Sequence, residues 1–93
     1  MTTASSLFLS LHADDDVQVA RRRAPAGSRL NGVDIVSTEP VEMGHKVARR
    51  AIPAGAPVRK YGQVIGFATT AIAPGEWVHV HNVGLGDLKL THA

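Results

Sequence analysis

The chain has 93 residues, a length that forms one domain with a modest core rather than several. It contains no cysteine, which excludes a disulfide framework and any thiolate metal site and accords with a reducing cytoplasm. A formal charge of +2 and an isoelectric point near 9.5 make it mildly basic. The positive charge gathers at Arg21-Arg22-Arg23, Arg49-Arg50 and Arg59-Lys60. Only Tyr61 adjoins these runs, so a stacking platform for nucleic acid is lacking and no nucleic-acid partner is expected. The amino-terminal apolar run is too short for a membrane span or signal peptide and has no basic flank, so no membrane partner is expected and the reading is cytoplasmic.

In chain order, residues 5–12 read as a first strand with Leu7, Leu9 and Leu11 on one face and Phe8 interrupting a polar opposite face. Asp14-Asp15-Asp16 ends it, because three adjacent carboxylates suit a turn; a hard-cation site is the weaker alternative, since the run has no EF-hand spacing. Residues 17–21 alternate as a second strand, and residues 33–36 form a short third. Residues 37–43 have room for one helical turn, though Glu39-Pro40 favours extended geometry. Gly44-His45-Lys46 leads into a central strand. Pro57 keeps the next strand short or at an edge. Residues 63–70 and 77–83 read as the last long strands. Gly84 and Gly86 loosen the tail, residues 87–90 offering a last short pairing.

Three segments repeat one pattern, at residues 19–30, 47–58 and 67–78: an apolar residue and Ala, a polar pair, a Pro/Ala/Gly turn, and an aliphatic residue three places after the glycine. Proline shifts between the copies whereas Gly27, Gly55 and Gly75 hold their place, as they must if each occupies a positive φ. Pro74-Gly75 suits a type II turn, and the two Pro-Ala-Gly copies suit a type I turn with a following left-handed glycine. Their unequal spacing excludes a solenoid. The pattern is all-β: short strands and turns rich in glycine and proline.

His79-Val80-His81-Asn82 carries the most chemistry. On a strand His79 and His81 project to one face and offer two nitrogens to a divalent cation; the alternative is a solvent-facing strand with two incidental histidines. His45 and Lys46 follow a turn at a sheet rim and are candidate bases for removing a proton beside a carboxylate, with lysine also able to anchor an anion. Taken alone, such a tripeptide is also an ordinary solvated turn. Lys60 and Tyr61 read either as part of a binding rim or as a hairpin whose glycines allow tight geometry.

Gly44-His45-Lys46, the turn of residues 52–55, Lys60-Tyr61-Gly62 with Ile65-Gly66, and His79-Val80-His81-Asn82 together resemble the SAF domain of the UxaA family of sugar-acid dehydratases. That family includes altronate and galactarate dehydratases and the sulfolactate sulfo-lyase. Leu11-His12, Asp15, Val17 and Val19 are similar to its opening strand. The resemblance spans residues 5–83 of a single domain covering 1–93, with 84–93 as a tail. It implies a β-clip fold and association with a much larger catalytic subunit or domain. It also implies removal of water, or sulfite in the sulfo-lyase, from a sugar acid or related hydroxy acid, with an iron or manganese-like cation completed by the larger partner. Under that reading His45 and Lys46 are acid/base groups, Lys60, Tyr61 and Asn82 bind substrate, and His79 and His81, with His12 as a remoter addition, are metal-ligand candidates. The alternative is a non-catalytic SAF-type module that binds a carbohydrate or a protein partner.

Overall fold

The computed structural model describes residues 6–85, and among these there is no helix, hence none long and apolar enough to cross a membrane. Seven short strands run in the order β1 (Phe8–Leu9), β2 (Val17–Ala20), β3 (Lys46–Ala48), β4 (Pro57–Lys60), β5 (Gln63–Ala68), β6 (Trp77–Val78) and β7 (Val83–Gly84). They form two antiparallel sheets, one ordered β1-β2-β3-β6 and the other β4-β5-β7. The all-β expectation holds.

Both faces of the four-stranded sheet are covered. Val17, Ala48 and Val78 pack with Ile52, Val58 and Ile72 in one core, whereas Ala20 and Val47 pack with Phe8, Ala24, Leu30 and Val41 in a second. A strand buried on both sides loses clean alternation, which is why β2 buries Gln18 and Ala20 as well as Val17. The Gln18 carboxamide meets the Asn31 backbone twice, Nε2–H donating to the carbonyl at 2.7 Å and Oε1 accepting from the N–H at 2.8 Å. That pairing removes the penalty of burying an amide.

The repeated turns share one geometry. Gly27, Gly55 and Gly75 have φ of 83°, 85° and 88° and stand third in their turns, closed by N–H donation from Ser28, Ala56 and Glu76 to the carbonyls of Pro25, Pro53 and Ala73. This is the type II position in all three copies, so the separate type I solution expected for Pro-Ala-Gly is not used. The same turn recurs at Glu42 to His45 around Gly44, with φ 84°. Each glycine N–H also bonds a carbonyl of another segment, from Gly27 to Ser37, Gly44 to Ala20, Gly55 to Ala68 and Gly75 to Ala48. The turns are therefore joints between distant parts of the chain as well as reversals.

Several local expectations are corrected. Phe8, not the leucine row, points into the core: it is fully buried while Leu9 is 43% exposed. The larger apolar area of the aromatic ring decides the facing of so short a strand. Residues 33–36 do not form a strand; a single bridge pairs Arg29 with Val36 around the turn at Gly32. Residues 37–43 hold no helical turn, because Val41 exchanges two 2.8 Å backbone hydrogen bonds with Ala24. Residues 77–83 are not one strand: β6 ends at Val78, and the chain turns before β7. As expected, β4 is an edge strand and its register slips between Val58 and Arg59. The pairing proposed for residues 87–90 lies outside the described residues.

Candidate functional site

The acidic run, read from sequence as a turn, is the clamp between the sheets. Asp15 is fully buried, its carboxylate accepting from the N–H groups of Tyr61 at 2.9 Å and Gly62 at 2.7 Å. Asp16 accepts from Arg59 N–H at 2.8 Å, returns its own N–H to the Arg59 carbonyl at 3.0 Å, and lies 3.6 Å from Arg50. These bonds hold the β4–β5 hairpin against the start of β2. Tyr61 and Gly62 both have positive φ, 58° and 74°, which is the type I′ turn matched to a two-residue hairpin. A non-glycine residue in that conformation is held by its surroundings, here the Asp15 carboxylate.

Clamping the hairpin brings Lys60 toward Lys46 of β3. The two lysines open onto a cleft of about 490 Å³ whose wall also includes Ile65, His79, Val80, Val83 and Leu85. Burial pushes the Lys46 ammonium below its ordinary pKa, and the nearby Lys60 charge pushes it the same way. Two cationic side chains and an imidazole against an apolar wall suit an anionic group on a small ligand. Lys60 also lies 5.6 Å from the centroid of the exposed Tyr61 ring.

The histidines gather around Trp77, not on a strand face. The indole stacks on His79 at 4.8 Å and lies 5.0 Å from the tilted His81 ring; His45 stacks on His79 at 5.2 Å and on Trp77 at 5.7 Å. Trp77 Nε1–H donates to His45 Nδ1 at 3.1 Å. His45 is not among the cleft residues and packs behind His79, which is. Asn82 is buried and holds the turn: Oδ1 accepts from His79 N–H and Nδ2 donates to the Trp77 carbonyl, both at 2.9 Å. Its carboxamide is thereby engaged by backbone.

His12 is elsewhere, its ring packed over Gly62 and its Nδ1 accepting from Asp14 N–H at 3.1 Å. Among the described residues no three His, Asp or Glu side chains come together to hold a metal ion. The His45 and His79 rings are within 16° of parallel, so their in-plane lone pairs do not converge on one point. Among the described residues, His79 and His81 therefore offer at most two of the ligands a divalent cation needs.

Lys46, Lys60 and His79 are thus brought together, Tyr61 sits at the margin, and His45 and His81 are tied to the cleft through aromatic contacts. Sequence reasoning missed Trp77 and Asp15 as organisers. The available signal was a lone tryptophan two residues from a histidine pair, and a carboxylate run whose members have different neighbours.

The altronate/galactarate dehydratase SAF domain model matches residues 6–85. Over 87 residues the chain is 38% identical to an altronate dehydratase of Bacillus subtilis (strain 168), covering 89% of this chain and 18% of that protein. It is 40% identical over 86 residues to an altronate dehydratase of Escherichia coli (strain K12), covering 87% of this chain and 17% of that protein. It is 32% identical over 93 residues to the galactarate dehydratase (L-threo-forming) of the same organism, covering 97% of this chain and 17% of that protein. The chain therefore spans less than a fifth of the length of these relatives. On the match across its whole described fold, the chain belongs to the altronate/galactarate dehydratase SAF domain family.

Proposed function

We propose that this chain is the SAF part of a hydro-lyase that dehydrates a sugar acid or related hydroxy acid, working with a larger catalytic subunit or domain. The observation that carries the reading is the convergence of Lys46 of β3, Lys60 of β4 and His79 of the turn after β6 on one apolar-walled cleft. In this reading Lys60 holds the substrate carboxylate as a point charge. Lys46, easier to deprotonate than an ordinary lysine, takes the proton beside that carboxylate. The electron pair so released forms the carbon–carbon double bond as the neighbouring C–O bond breaks, and the departing hydroxyl leaves as water after accepting a proton from an imidazole donor. A divalent cation in the assembled enzyme would stabilise the enediolate; His79 and His81 could contribute to holding it, with most ligands supplied by the larger partner.

The larger partner also supplies enclosure. The cleft is walled on one side only by side chains such as Val80 and Leu85, which are 80% and 56% exposed. That apolar margin equally favours a second reading, a non-catalytic module that docks onto a protein. Mixing the chain with a large dehydratase component and offering altronate and galactarate separates the two. The catalytic reading expects turnover only in the mixture, with Lys46→Met lowering kcat by roughly 10²–10⁴-fold, the usual range for general acid–base groups. Normal turnover by a Lys46→Met, Lys60→Ala double variant that still assembles would leave only the docking reading.

A further inference from the structure

We propose that Trp77 is a positioning residue that holds His45 in the tautomer with its proton on Nε2, so that His45 presents a proton donor and not a base or a metal-ligating lone pair. The indole Nε1–H can only donate, and it lies 3.1 Å from His45 Nδ1. The nitrogen that accepts it carries no proton. A neutral imidazole has one N–H, which is then on Nε2. Two contacts hold the ring where this bond is made: His79 stacks on it at 5.2 Å, and the indole itself is stacked on His79 at 4.8 Å. The indole is fixed in turn through its own backbone, since the Trp77 carbonyl accepts from Asn82 Nδ2 and Asn82 Oδ1 binds the His79 N–H. Asn82, Trp77, His79 and His45 form one linked unit, and its output is the protonation pattern of His45. The ligand chemistry served by an Nε2–H is an oxygen acceptor, a carboxylate or a hydroxyl.

The tautomer stands independently of the dehydratase reading; the donor role in catalysis rests on it. Nitrogen-15 NMR of the 93-residue chain, about two pH units above the ordinary histidine value near 6.5, reads the tautomer directly. The expected spectrum has an unprotonated His45 Nδ1 and a protonated Nε2, with coupling through the hydrogen bond from Trp77 Nε1. Trp77→Phe keeps an aromatic ring but no N–H, and is expected to shift His45 toward a mixture of tautomers. A protonated Nδ1 or a mixture in the wild-type chain would overturn the proposal without any variant having to fold, as would an unchanged tautomer in a folded Trp77→Phe. In the reconstituted enzyme, if the larger component brings the substrate against His45, which lies outside the cleft itself, His45→Gln restores an N–H donor and is expected to retain more kcat than His45→Ala. Equal loss in both would overturn the donor role. Full activity in both, with the tautomer as described, would remove His45 from the dehydratase reading and leave the Trp77 bond standing.

Discussion

Lys46 sits where its ammonium is poorly solvated and faces a second positive charge, and both effects favour the neutral amine in the folded chain. Between the lowered folded value and the ordinary 10.5, the unfolded chain binds more protons than the folded one. Stability contributed at this position therefore rises with pH through that window and is at its poorest below it. Lys46→Met is expected to raise the melting temperature at pH 7, with the difference from wild type shrinking as pH climbs toward 10.5. A lower melting temperature at pH 7 would show that the lysine is stabilised by contacts instead. The same shift sets the sign of the activity profile: if the neutral amine is the base, kcat of the assembled enzyme increases with pH below the ordinary lysine range. The turn glycines differ at this scale too. A Cβ on Gly75 would stand 2.1 Å from the Val36 carbonyl oxygen, whereas one on Gly27 would meet nothing within 4 Å. Gly27→Ala should cost about 1–2 kcal/mol, the backbone term alone. Gly75→Ala should cost at least about 2 kcal/mol more, because backbone has to move to relieve the overlap. Urea titration of both variants checks the order, and equal losses would show that the Val36 segment yields freely.

At the level of elements, the β4–β5 hairpin depends on a carboxylate from outside it. Asp15→Ala leaves the N–H groups of Tyr61 and Gly62 without their acceptor and should cost about 2–4 kcal/mol, the range for losing charge-assisted bonds and stranding their donors. Amide exchange at Tyr61 and Gly62 should accelerate before the rest of β5 is affected. Uniform exchange throughout the chain would mean the clamp supports the whole fold and not the hairpin alone. The turn at residues 79–82 is the second element set by one side chain. Asn82→Ala removes both bonds that close it, and is expected to loosen the stack of His79 on Trp77, read as a change in indole fluorescence.

For the whole molecule, the cleft lies where the two sheets meet, because Lys46 comes from one and Lys60 from the other. Its exposed apolar margin predicts an interface role separable from the chemistry. Under the proposed function, Val80→Asp should weaken association with a larger dehydratase component while leaving the melting temperature of the chain within about 2–4 °C, as expected for a surface change. Unchanged association would place the interface elsewhere. A single sheet cannot build this cleft.

The all-β class, the edge character of β4 and the positive φ at Gly27, Gly55 and Gly75 were determined by local chemistry: proline removes a backbone donor, and a residue without Cβ is needed where φ is positive. Gly44-His45-Lys46 and Lys60-Tyr61 were legible as candidates for the same reason, since each adjoins a turn that places it at a sheet rim. Tertiary structure alone decided which of these residues meet. Asp15 and Gly62 are 47 residues apart, with β2, β3 and β4 between them, and nothing local states that a carboxylate will bind that hairpin. The reading of residues 77–83 as one strand failed because Asn82 folds back onto the Trp77 carbonyl and the His79 N–H, an alternative to the ladder that an Asn side chain can offer anywhere. Phe8 turned inward because the second core needed its ring, and a two-residue strand has too little alternation to resist. Local sequence sets where the backbone bends; the burial of two cores on opposite faces of one sheet sets which side chains those bends bring into contact.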